Sequence, residues 1–163
     1  MKKLMTLALA AVMMASLVGC GSKKEEQATK DVDLTAFYDT LATEYGWDDN
    51  TMANLTDDPE LLEMYYPGLA EVTTTQLIAK APMMSSVVNE FVFLQCETEE
   101  DATIAAGILQ TRIDTQAEGG AWYPESMEAW GRGVVDQQGT YVAMIASAEY
   151  QEDITAKWQA QFQ

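Results

Sequence analysis

Histidine does not occur anywhere in the 163 residues. Its absence removes the usual general base at neutral pH, the Ser-His and Cys-His nucleophile pairs and the commonest zinc ligand. Cysteine occurs twice, at Cys20 and Cys96, so metal-binding Cys clusters are missing too. Positive charge is scarce: nine Lys and Arg stand against 26 Asp and Glu, a formal net charge of −17. Such a chain repels polyanions, which excludes nucleic acid as a partner. There is no Walker loop, and Gly131 and Gly133 lack the third glycine of a dinucleotide fingerprint. A Ser-Lys dyad would need Lys80 with Ser85 or Ser86, which share only nearness in sequence. The sequence implies no cofactor, no metal and no catalytic residue.

Long apolar runs are also rare, with one exception at the N-terminus. Lys2 and Lys3 precede the run from Leu4 to Val18, which is too short for a membrane span of roughly 20 residues and suits a signal h-region. It ends in Leu17-Val18-Gly19-Cys20, which resembles a lipobox. That resemblance implies cleavage between Gly19 and Cys20 and a diacylglycerol group on the Cys20 thiol. Residues 1–19 are thus expected to be a lipoprotein signal peptide. Losing Lys2 and Lys3 takes the net charge from −17 to near −19. Residues 20–30 read as the lipidated cysteine and a polar tether, which spans roughly 15–20 Å as a coil. The expected location is the extracytoplasmic face of the cell membrane. Acyl chains contribute about 0.8 kcal/mol per buried CH₂, and they must supply the affinity because an acidic domain cannot grip anionic lipid.

Residues 31–163 suffice for one globular domain with a real core. Leu34, Phe37, Tyr38, Leu41 and Tyr45 recur at helical spacing between Asp33, a cap, and Gly46, a stop. Trp47 to Asp58 reads as a loop, followed by a short helix from Pro59 to Tyr66 capped by Asp58. Glu71 to Ala81 and Val87 to Cys96 read as an antiparallel strand pair, the second apolar on both faces and hence central. Thr98 caps a helix whose predicted buried stripe is Ile104, Ala105, Ile108, Leu109 and Ile113, and Gly119-Gly120 stops it. Trp122 to Glu128 reads as a loop. Arg132 to Gln137 and Thr140 to Ser147 form a second hairpin, and Ser147 caps a last helix with Tyr150, Ile154, Trp158 and Phe162 on one stripe. The predicted class is α+β, in the order α-α-β-β-α-β-β-α, with an antiparallel sheet of about four strands and helices packed on it.

Carboxylates are the only abundant reactive groups. Among 26 of them, two close neighbours are nearly guaranteed, so a glycosidase-like pair carries little information. Asp48, Asp49, Asn50, Asp57, Asp58 and Glu60 cluster without the EF-hand order, which favours a solvated, capping-rich loop over calcium. Glu90 interrupts an apolar strand, and a buried carboxylate needs a partner. Arg112, on the helix that follows, is the candidate, as a structural pair or a ligand site. Cys96 sits in the same apolar run and reads as a small buried hydrophobe. Trp122, Tyr123 and Trp130 form the candidate surface patch.

Glu90 opening the second strand, the helix ending in Arg112 and Gln116, the Tyr123-Pro124 loop and the hairpin with Gly139, Tyr141 and Val142 resemble one family. It is a domain-of-unknown-function family of Gram-positive bacterial lipoproteins, and the likeness runs from about Asp33 to Tyr150. The resemblance implies secretion, lipid anchoring and a compact α+β domain, with no catalytic residue, cofactor or partner attached. Here the strand ends in Gln95-Cys96 where the family often has charged residues. Two functions follow as expectations. The first is a non-enzymatic binding module for an envelope protein, peptide or small ligand. The second is a carboxylate-dependent cell-wall hydrolase, which would show a cleft with two acids pushed apart in pKa. The solute receptor of a transporter, with two lobes, would need about twice this length.

Overall fold

The computed structural model describes residues 30–163; the expected leader, Cys20 and the expected tether up to residue 29 lie outside them. Helix α1, Leu34–Tyr45, begins where Asp33 accepts the Ala36 N–H at 2.9 Å. It ends where Gly46 takes a left-handed φ of 71°, a conformation that suits a residue without Cβ. Strand β1, Met52–Asn54, follows, and α2, Pro59–Tyr65, starts on an Asp58 cap that binds the Glu60 and Leu61 N–H groups. Strands β2, Thr74–Pro82, and β3, Asn89–Cys96, lead to α3, Glu99–Thr115, which Thr98 caps. A π-turn, Gln116–Gly120, ends α3, and α4 covers Pro124–Gly131. Strands β4, Val134–Gln138, and β5, Tyr141–Ser147, precede α5, Gln151–Ala160.

The sheet is antiparallel, in the order β1-β2-β3-β5-β4. The class is therefore α+β, with a fifth strand, β1, inside what the sequence presented as a loop. That strand is three residues long and is held by pairing with Lys80, Ala81 and Pro82 at the far end of β2. A second correction concerns Trp122 to Glu128: Pro124 opens helix α4 there, at the first helical position where its missing N–H is harmless. Ser147 does not cap α5 itself. Its hydroxyl accepts the Tyr150 N–H in the turn just before the helix.

Side chains alternate across the sheet and build a core on each face. Phe91 and Phe93 of β3, with Tyr141, Ala143 and Ile145 of β5, face α1 and α5 and pack on Phe37, Leu41, Ile154 and Trp158. Val92, Leu94 and Cys96, with Val142, Met144 and Ala146, face the other helices, against Leu62, Tyr66, Leu109 and Trp130. Strand β3 is thus covered on both sides, as its apolar run from Phe91 to Leu94 requires. On α3 the buried residues are Ala102, Ala105, Leu109 and Ile113, while Ile104 is 51% exposed, which shifts the predicted stripe by part of a turn.

The two ends of the sheet differ. At one, the Val32 N–H donates to the Tyr141 hydroxyl and the Gln76 amide donates to the Val32 carbonyl, pinning the start of the described chain. At the other, β2 ends at Pro82, β3 begins at Asn89 and β5 ends at Ser147. The length of β5 sets these ends about 20 Å apart.

Candidate binding groove

Glu90 and Arg112 meet. Arg112 Nε donates to Glu90 Oε1 and Arg112 Nη2 to Glu90 Oε2, both at 2.9 Å, and the Tyr66 hydroxyl donates to Oε1 at 2.8 Å. The guanidinium lies over the rings of Tyr65, 4.6 Å from the centroid, and Trp130, at 5.4 Å. Every oxygen of the carboxylate has a charged donor, so the group satisfies the demand that burial makes of it. Trp130 belongs to this network and to the core rather than to a surface patch: it is 5% exposed. Trp122 and Tyr123 are at the surface, Trp122 almost wholly so. The structure therefore splits the three-residue patch, because α4 turns its Ala129 and Trp130 inward.

The acidic loop resolves into local structure. Asp48 accepts the Asn50 and Thr51 N–H groups, which lowers its carboxyl below the usual range, first through the Asn50 side chain. Among the described residues, no group of Asp, Glu, Cys or His is placed to hold a metal ion. Cys96 is buried, and burial, with Asp101 adding to it, pushes its thiol up to about 11. It stays a protonated, inert thiol near neutral pH.

A groove opens at the sheet end formed by Pro82, Asn89 and Ser147. Its volume is about 510 Å³, within the range of ligand sites. The β2–β3 connection supplies an apolar lip in which Met83, Met84 and Val87 are all exposed. Trp47 and Tyr150 form an aromatic wall, their rings 6.2 Å apart, and Trp47 stacks on core Phe91. The floor is polar and buried. The Ser147 hydroxyl donates to Asn89 Oδ1 at 3.0 Å, and the Asn89 amide faces Met52 Sδ at 3.7 Å. Glu125 and Glu149 stand at the margin, and no Lys or Arg lines the groove. Glu125 and Ser126 on α4 follow soon after Tyr123, so the exposed pair of the predicted patch adjoins this margin in sequence.

Of the groove's lining, only Asn50, in the acidic cluster, and Ser86, in a Ser-Lys dyad, stood out in the sequence, and neither as part of a groove. The available signal was Pro82-Met83-Met84-Ser85-Ser86, two adjacent methionines inside a polar turn, where soft apolar side chains have no core to fill.

The sequence from 45 to 147 matches the domain of unknown function DUF4358. The chain belongs to this family. Neither a curated protein nor a solved structure matches it. The DUF4358 match spans the whole sheet with α2, α3 and α4, and it includes the Tyr66–Glu90–Arg112 network. It also takes in most of the groove, while α1 and α5 flank it.

Proposed function

We propose that the protein is a lipid-anchored, extracytoplasmic binding module that holds its ligand in the groove at the Pro82–Asn89–Ser147 end of the sheet. The observation that carries this reading is the exposed lip of Met83, Met84 and Val87 over a buried Asn89–Ser147 floor. A concave, mostly apolar site with few placed polar groups is the usual form of a ligand site, and methionine gives a lip that adapts to its occupant. The Leu17-Val18-Gly19-Cys20 stretch supports anchoring through diacylglycerol on Cys20. The tether then joins the domain at the Val32–Tyr141 end, opposite the groove, which leaves the groove clear of the attachment point. The hydrolase alternative gains nothing from Glu90, the one buried carboxylate among the described residues, because Arg112 engages both of its oxygens.

Photo-crosslinking in cells tests the reading. Met84 and Met64 are almost equally exposed, at 65% and 66%, but only Met84 lines the groove. A photoreactive residue at 84 should give a discrete adduct by mass spectrometry, and one at 64 should not. The same cells, fed a clickable palmitate analogue, should label the protein through Cys20, and Cys20→Ala should abolish the label. No adduct at 84, or equal adducts at both positions, removes the groove from the proposal; an unlabelled chain removes the anchor.

A further inference from the structure

We propose that the groove's occupant is a peptide segment in which apolar side chains are flanked by Lys or Arg. The inference rests on the binding reading above and adds the chemistry of the ligand. Three features of the lining point the same way.

The first is the amide of Asn89, a side chain only 8% exposed. Its carbonyl oxygen is occupied by the Ser147 hydroxyl, and the Ser147 oxygen in turn accepts the Tyr150 N–H at 3.1 Å. The two amide protons of Asn89, by contrast, have only the Met52 sulfur at 3.7 Å, a weak acceptor. A buried donor so poorly matched calls for a carbonyl oxygen from outside, and a peptide bond presents one. The second is the lip, whose Met83, Met84 and Val87 offer apolar contact to side chains on either side of that bond. The third is charge. Glu125 and Glu149 are both exposed at the margin, no base offsets them there, and the whole chain carries −17. This field repels an anionic or phosphorylated ligand and favours a cation.

Calorimetric titration of the full chain in neutral detergent tests the proposal with synthetic peptides sharing a Leu-Leu core. Flanking Lys should give binding, and replacing Lys by Glu should weaken it by about tenfold or more, given two unlike-charge contacts turned into repulsion. The double variant Glu125→Gln/Glu149→Gln, at two exposed sites, should cost about fivefold. It should also flatten the salt dependence of binding, and Met84→Ser should weaken the basic peptide without changing that dependence. Equal binding of the Lys and Glu peptides, or binding of neither, overturns the proposal. If the crosslink at position 84 persists in that case, the groove binds another class of ligand; if it is absent too, the binding reading falls with it.

Discussion

Arg112 and Glu90 form a pair buried on the carboxylate side, with side chains 18% and 3% exposed. Removing one partner of such a pair leaves the other charge without compensation, which costs about 3 kcal/mol or more. Arg112→Ala should therefore lower the urea midpoint by that equivalent, and Glu90→Gln with Arg112→Met should cost less than the single change. An unchanged midpoint for Arg112→Ala would refute a stabilising pair. Cys96, whose contribution fades from pH 9 upward, and two tyrosines contribute to the alkaline limit. Burial, then the Asp39 and Asp49 carboxylates, pushes the Tyr38 phenol up to about 12, and burial, then Glu90, raises Tyr66 well above its ordinary 10. The folded state holds these protons more tightly than the unfolded chain does. Their contribution is thus complete below pH 10 and is lost as pH climbs through the folded values, from 10 towards 12 for Tyr38. Denaturation curves should show a fall across that window that is shallower in Tyr38→Phe. At this scale Glu90 was legible because a single acid in an apolar run demands a partner. Trp130 was not, since Met-Glu-Ala-Trp-Gly carries no sign of which side of a helix faces inward.

Elements with strong local chemistry were readable in advance. Helix α1 lies between an Asp cap and a left-handed glycine, and α3 begins on a Thr with three acids in its first turn. Strand β3 announced its central place because neither face offers a polar side to water except Glu90 and the terminal polar residues. What failed to show locally depends on partners distant in sequence. Met52-Ala53-Asn54 has no alternation to mark a strand; it is one because β2 lies beside it. Helix α4 is a different case, since Pro124 stands at the first helical position just as Pro59 does in α2. The rule that located one helix would have located the other. Ile104 and Ala105 show the limit of periodicity, because neighbouring residues differ by about 100° and a stripe read from spacing has an edge uncertain by one position. The groove is the extreme instance: its lining comes from segments around 47–52, 82–89, 125–126 and 147–150, which no local pattern connects.

Over the whole molecule, acids outnumber bases by 17, and the ion pairs among the described residues use only Arg112, Arg132 and Lys157. Most of the excess charge is therefore unpaired and self-repelling. The melting temperature should rise as salt increases from 0.01 to 0.15 M, over which the screening length falls from about 30 to 8 Å. A flat response, measured by calorimetry, would mean that the acids are locally compensated.

The Asn89–Ser147 contact at the groove floor joins residues 58 positions apart. It sits at the last rung of the β3–β5 ladder, which runs from Gln95 opposite Tyr141 to Asn89 opposite Ser147. Between those strands the chain must complete α3, α4 and the β4–β5 hairpin, so this pairing closes a long loop and belongs among the slower contacts to form. A chain that has collapsed but has not zipped this ladder has no floor and no aligned lip. Under the proposed function, recognition is thus a report on finished folding: partly assembled chains are silent towards the ligand, and occupancy of the groove holds shut a seam that closes over a long loop.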